Sequence, residues 1–124
     1  MGARSGEFVL SEAPGTLSRE AVVIASGAGV LQPGTVLGQL TDGGKYVPYD
    51  DDHVDASGNA DGREAAVGIL LEGVDATSAD QDAVILTRLA EVVSAKLVWH
   101  ADNDATDKSN GLADLAARYI LARS

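Results

Sequence analysis

"PGTVLGQLTDGGKYVPYD", Pro33 to Asp50, holds two strand-length segments, TVLGQL (35–40) and KYVPYD (45–50), parted by the turn cluster TDGG. Val, Leu and Tyr recur inside each segment, and Gly and Asp stand between them, which is the alternation of strands and turns. Pro48 donates no backbone hydrogen bond, so KYVPY is expected at a sheet edge or a bulge. Working outward, AVVIAS (21–26) precedes this stretch, and AAVGILLEGVDA, TSADQD and AVILTRLAEVV follow it. Short apolar runs at such close intervals predict a small all-β barrel or sandwich. Gly38, Gly68 and Gly73 inside the runs predict bends or bulges in tightly curved strands.

Two segments carry helical signals. In VILTRLAEVVSAKLVW, the residues Leu86, Leu89, Ala90, Val93 and Leu97 fall at helical spacing, yet the many β-branched residues favour strand. The reading is strand over 83–93, with a short helix possible before Trp99. In NGLADLAARYILARS, the residues Leu112, Leu115, Ala116, Tyr119 and Ile120 form one apolar helical stripe. Asp114 near its start and Arg118 and Arg123 near its end suit the helix dipole. This predicts a short C-terminal amphipathic helix packed on the sheet, and a mainly β (α+β) fold.

Residues 1–18 differ from the rest. Gly, Ser, Pro and Glu surround a single apolar island, Phe8-Val9-Leu10, and the expectation is a flexible N-terminal arm ahead of a β-rich domain over 19–124. Stretched out, 18 residues reach about 60 Å, enough to cross onto a neighbouring molecule. An apolar island in a polar tail is also the pattern of segments that add a strand to a partner's sheet.

Composition narrows the function. The chain has 124 residues, no cysteine, and a net charge of −10 from 19 acids against nine Lys and Arg. One domain with a modest core is expected at this length. Disulfides, thiolate metal sites and thiol nucleophiles are excluded. An acidic chain with scattered basic residues is not expected to bind nucleic acid. It carries neither an apolar run of membrane length nor a secretory start, so a soluble protein is expected.

The acidic stretch DDDHVDASGNADG (Asp50–Gly62) is the strongest candidate for a metal site. A calcium loop needs Gly at its sixth position and Glu at its twelfth. Starting at Ser57 places Asn59, Asp61 and Gly62 well but puts Gly68 in the twelfth position. Starting at Asp55 puts Ala60 and Ala66 in the two key places. The second acidic stretch, DNDATDKSNG (102–111), puts Asp107 and Ala113 there. Both are therefore read as solvated loops. His53 and His100, the only histidines, have no ligand spacing. GAGVLQPG has Gln32 where a dinucleotide loop needs Gly, and GQLTDGGKY has Tyr46 where a phosphate loop needs Ser or Thr. No catalytic residue, metal ligand or cofactor is assigned, and no enzyme is expected. Trp99 is read as a core or interface anchor.

Taken together, LSREAVVIASGAGVLQPGTVLGQLTDGGKYVPYD and DGREAAVGILLEGVDATSADQDAVILTRLAEVVSAKLVW resemble the head decoration proteins of tailed bacteriophages, the lambda head protein D group. PGTVLGQLTDGGKYVPYD, AAVGILLEGVDAT and the run down to LVW carry the likeness, from about Leu17 to Trp99. The acidic stretch falls where that family varies in length. The resemblance implies a bent β-ribbon of the β-clip type with a C-terminal helix. It also implies a homotrimer on three-fold sites outside the expanded head, made in the host bacterial cytoplasm and carried in the virion. Its partner would be the major capsid protein, with no nucleic acid and no membrane involved. The capsid-binding arm would be Phe8, Val9 and Leu10, continuing through Leu17, Ser18, Arg19 and Glu20. The alternative is a small β-barrel binding a ligand or a cation.

Overall fold

The structure is a computed structural model that describes residues 9–12, 18–51, 58, 60–101 and 103–123. Ten strands are present among the described residues: β1 (Val9–Glu12), β2 (Arg19–Ile24), β3 (Gly29–Leu31), β4 (Val36–Gln39), β5 (Tyr46–Pro48), β6 (Gly68–Leu70), β7 (Val74–Ala76), β8 (Gln81–Leu86), β9 (Ala90–Val93) and β10 (Ile120–Arg123). The α-helix α1 (Ala105–Ala116) lies between β9 and β10, and a 3-10 turn spans Ser94–Lys96. Strands β2, β5, β4, β6 and β8 close into a barrel in that order. Closure matters because these strands are short and an open sheet would leave their edge groups unpaired.

The TDGG cluster turns β4 back on β5, with Leu40 N–H donating to the Lys45 carbonyl at 2.8 Å and Gly43 and Gly44 at positive φ. Pro48 pairs only with Leu37 of β4, because β5 meets β2 solely through Ile24 and Tyr46. The expected sheet edge or bulge is not what is found, since β5 lies between two strands of the closed barrel in an unbroken register, but at Pro48 itself no second strand asks for the missing donor. Gly38 proves different from the expectation of a bulge. The β4–β5 register runs unbroken through it, and a Cβ there would lie 2.6 Å from the Arg63 Cα. It is a point of close backbone approach.

Two cores lie on either side of the barrel wall. On β4, β6 and β8 successive residues face opposite ways: Leu37, Leu70 and Ile85 fill the barrel, while Val36, Ile69 and Leu86 face outward into a second core. The second core is roofed by α1 and by the sheet β1-β9-β10, which contribute Leu115, Ala90, Val92 and Ile120. Strands buried on both faces read as continuous apolar runs, without alternation.

The reading of 83–93 as one strand needs correction. It is two strands, β8 and β9, broken at Thr87–Leu89, where Leu89 takes a left-handed φ of 56°. The short helix before Trp99 is present as the 3-10 turn. The C-terminal helix also shifts. It runs 105–116 instead of starting near Leu112, so ATDKSNG (105–111) is helical and is no solvated loop. Asp104 caps it: its carboxylate accepts from Asp107 N–H at 2.9 Å while the Asp107 carboxylate accepts from Asp104 N–H at 3.1 Å. Such a reciprocal box satisfies two otherwise orphaned donors. The buried stripe is Asp107, Gly111 and Leu115. Asp114 lies near the helix end, and no basic residue occupies the last turn. The helix ends at Ala116 with Ala117 as its right-handed cap, and the turn that follows reverses at Tyr119, which takes a left-handed φ of 62°. Ile120 then begins β10, parallel to β9.

Candidate functional site

The first acidic stretch is explained largely by its ends. Asp50 N–H donates to the Arg63 carbonyl at 3.0 Å, and Thr41 N–H to the Asp61 carbonyl at 2.8 Å, so the two ends of the stretch are tied together and to the barrel. Asp61 grips the Arg63 guanidinium at 2.9–3.2 Å, and the Glu64 carboxylate accepts from Gly62 N–H at 2.9 Å. Asp51 N–H donates to the Asn103 side chain at 3.2 Å, and Asn103 donates to the Tyr49 carbonyl at 2.8 Å. These acids serve as architecture. Residues 52–57 and 59, including His53, lie outside the described residues.

No centre for chemistry emerges among the described residues. No group of three or more His, Asp or Glu there is placed to hold a metal ion. A shallow recess is lined in part by Asp50, Arg63 and His100, but its guanidinium is already taken by Asp61. No described helix is long and apolar enough to cross a membrane. Two tyrosines have strongly held protons. Burial pushes the Tyr49 hydroxyl well above its ordinary range, helped by the Asp51 carboxylate, and burial raises Tyr46 too. Tyr49 is completely buried, meets Trp99 edge-on at 6.0 Å, and has Asp107 O at 2.8 Å and Asp51 Oδ1 at 3.0 Å from its hydroxyl. A Cβ on Gly111 would lie 2.8 Å from both rings, so the helix approaches closely only because Gly stands there. Trp99 is thus a half-buried packing residue of the second core.

The residues expected to form an arm are separated by the fold. Val9 and Leu10 belong to β1, which pairs antiparallel with β9 through Val9↔Val92, Ser11↔Glu91 and Glu12↔Ala90, with an irregularity between Val9 and Ser11. Val9 packs against the second core. Phe8 and Leu17 lie outside the described residues. Ser18 is buried, and its carbonyl accepts from Thr87 N–H at 2.8 Å. Arg19 and Glu20 are exposed residues of β2, opposite Leu86 and Ile85, and Glu20 faces Arg88 at 3.8 Å. Sequence reasoning missed that the arm and the C-terminus share a sheet. Only the β10 pairing reveals it, because Tyr119-Ile120 also fits a helical stripe.

The fold and its surface define a small β-barrel with a terminal sheet, a packing module in which the described acids serve caps, turns and ion pairs. The family model described as bacteriophage lambda head decoration protein D matches residues 1–120. The chain belongs to that family of phage head proteins, which is structural and places it in the virion capsid. Comparison with curated proteins finds no match.

Proposed function

We propose that this protein is a homotrimeric cement of the β-clip type that binds the major capsid protein outside the expanded head. It sits at three-fold sites and holds the shell against the pressure of packaged DNA. The observation that carries this reading is the family match across residues 1–120. The physical argument agrees with it. A clamp across subunit junctions adds binding free energy to the closed lattice, and three linked chains engage at high effective concentration. The capsid-binding segment is Phe8-Val9-Leu10, continuing through Leu17-Ser18-Arg19-Glu20. In support, β1 is an edge strand of the terminal sheet, and an edge strand offers unpaired backbone groups to a neighbour. The protein is synthesised in the host bacterial cytoplasm and acts without cofactor or catalysis.

The test is sedimentation of the protein with expanded, undecorated heads. A chain lacking residues 1–16 is expected to stay folded and trimeric by light scattering but to remain in the supernatant. Co-sedimentation of the truncated chain at full affinity refutes the arm's role, and a monomer at all concentrations refutes the trimer.

A further inference from the structure

The terminal sheet also carries a surface that the arm does not explain. Leu89, Tyr119 and Leu121 are 41%, 70% and 44% exposed. They are neighbours: Leu89 N–H donates to the Arg118 carbonyl at 3.3 Å, Ala90 N–H donates to the Tyr119 carbonyl at 3.0 Å, and Leu121 pairs with Glu91. Leu89 and Tyr119 both hold left-handed φ, of 56° and 62°. Residues with side chains adopt that conformation at a cost, and glycine adopts it freely. Two large apolar side chains are therefore kept exposed at the very backbone positions where glycine would be easiest. Strain of this kind is a reason to look for a function.

The charge around the patch is as uneven. Of the chain's nine Lys and Arg, four stand at this end: Arg19 opposite Leu86, Arg88 beside Leu89, Arg118 on the Thr87 carbonyl at 3.1 Å, and Arg123 on Glu91 at 2.7 Å. Arg88 and Arg123 meet Glu20 and Glu91 there. The far end of the β2–β8 ladder, where Ile24 pairs with Gln81, carries Asp80 and Asp82 beside the turn holding Asp42. Lys45, on Asp80 at 2.6 Å, is its nearby cation. A molecule of net charge −10 has gathered arginine at one pole, around exposed apolar side chains. Arginine and tyrosine are the residue types that anchor protein interfaces.

We infer that Leu89, Tyr119 and Leu121, with the surrounding arginines, form a second docking surface that seats in an acidic face of the shell protein. This rests on the cement reading and extends it. The patch adjoins the sheet that carries β1, so arm and patch engage one partner together. A two-fold contact between copies fits less well, because it sets the same arginines against each other, and a three-fold contact with another face of a copy is distinguished from shell docking by the solution mass of the variant. Nucleic acid fits less well, because the rest of the surface is acidic.

The test exploits the backbone. The full-length double variant Leu89→Gly/Tyr119→Gly removes both side chains at positions that favour glycine, so its melting temperature is expected to match or exceed the parent's. Its affinity for expanded, undecorated heads is expected to fall at least tenfold, and Arg123→Glu is expected to weaken binding and lessen its dependence on salt. Parental affinity in the double variant overturns the inference. A drop in its solution mass also overturns it, by assigning the patch to contacts between copies. Failure of the parent protein to bind heads at all sinks the cement reading, and this surface with it.

Discussion

Replacing Tyr49 by Phe tests how the barrel, the acidic stretch and α1 are joined. The hydroxyl lies 2.8 Å from the Asp107 carbonyl and 3.0 Å from an Asp51 oxygen, completely buried. It has one proton, so the substitution removes one hydrogen bond net, costing about 1–2 kcal/mol at pH 7. That corresponds to roughly 4–8 °C in melting temperature for a chain of this size. Asp51 keeps the Asn110 amide at 3.1 Å, which limits the penalty on its charge. The alkaline limb makes the prediction sharper. The folded state raises the Tyr49 pKa, so its contribution is fully present below the unfolded value near 10 and is lost as pH climbs beyond it. Each such tyrosine removes up to about 1.4 kcal/mol per pH unit there. The parent has two, Tyr46 and Tyr49, and the variant retains one. The parent's advantage should therefore shrink above pH 10 and vanish roughly one unit higher. Urea melts followed by the fluorescence of Trp99, the single tryptophan and an edge-on neighbour of Tyr49, measure this directly. A stability difference that stays constant from pH 7 to pH 11 refutes the argument.

The capping box and a backbone contact give further tests. Asp104→Ala removes the acceptor for Asp107 N–H and should cost about 1 kcal/mol, read by thermal melting. An unchanged melt would mean that α1 is held by packing alone. Gly38→Ala drives a Cβ to 2.6 Å from the Arg63 Cα and 2.8 Å from its carbonyl oxygen, so the wall must shift. The expected cost is about 1–3 kcal/mol, with slower hydrogen exchange lost first at Val67, whose N–H bonds the Leu37 carbonyl. Undiminished protection there would contradict the close-approach role.

The strand segments were legible where turn chemistry is strong. TDGG, between TVLGQL and KYVPYD, needs glycine at positive φ, and Pro48 needs a place without a second neighbour. Both demands are local. The helix was legible in kind but not in position. Its buried stripe is Asp107, Gly111 and Leu115, an acid and a glycine among them, because Tyr49 and Trp99 fill the space a larger side chain would take. The signal that could have found its start is the pair Asp104 and Asp107, three apart, as in a capping box. No periodicity separates the strand Ile120–Arg123 from the end of an amphipathic helix.

The sequence by itself determined that this is a small, cysteine-free, acidic, mainly β chain, because turn residues, β-branched runs and charge act over a few neighbours. It also carried the family likeness. Only the tertiary structure decided that 83–93 breaks in two, that β1 and β10 share one sheet, and that Leu89 and Tyr119 stand exposed among arginines. Those outcomes depend on which strands pair across long separations. Short strands such as Gly68–Leu70, buried on both faces, carry no alternation to record that choice.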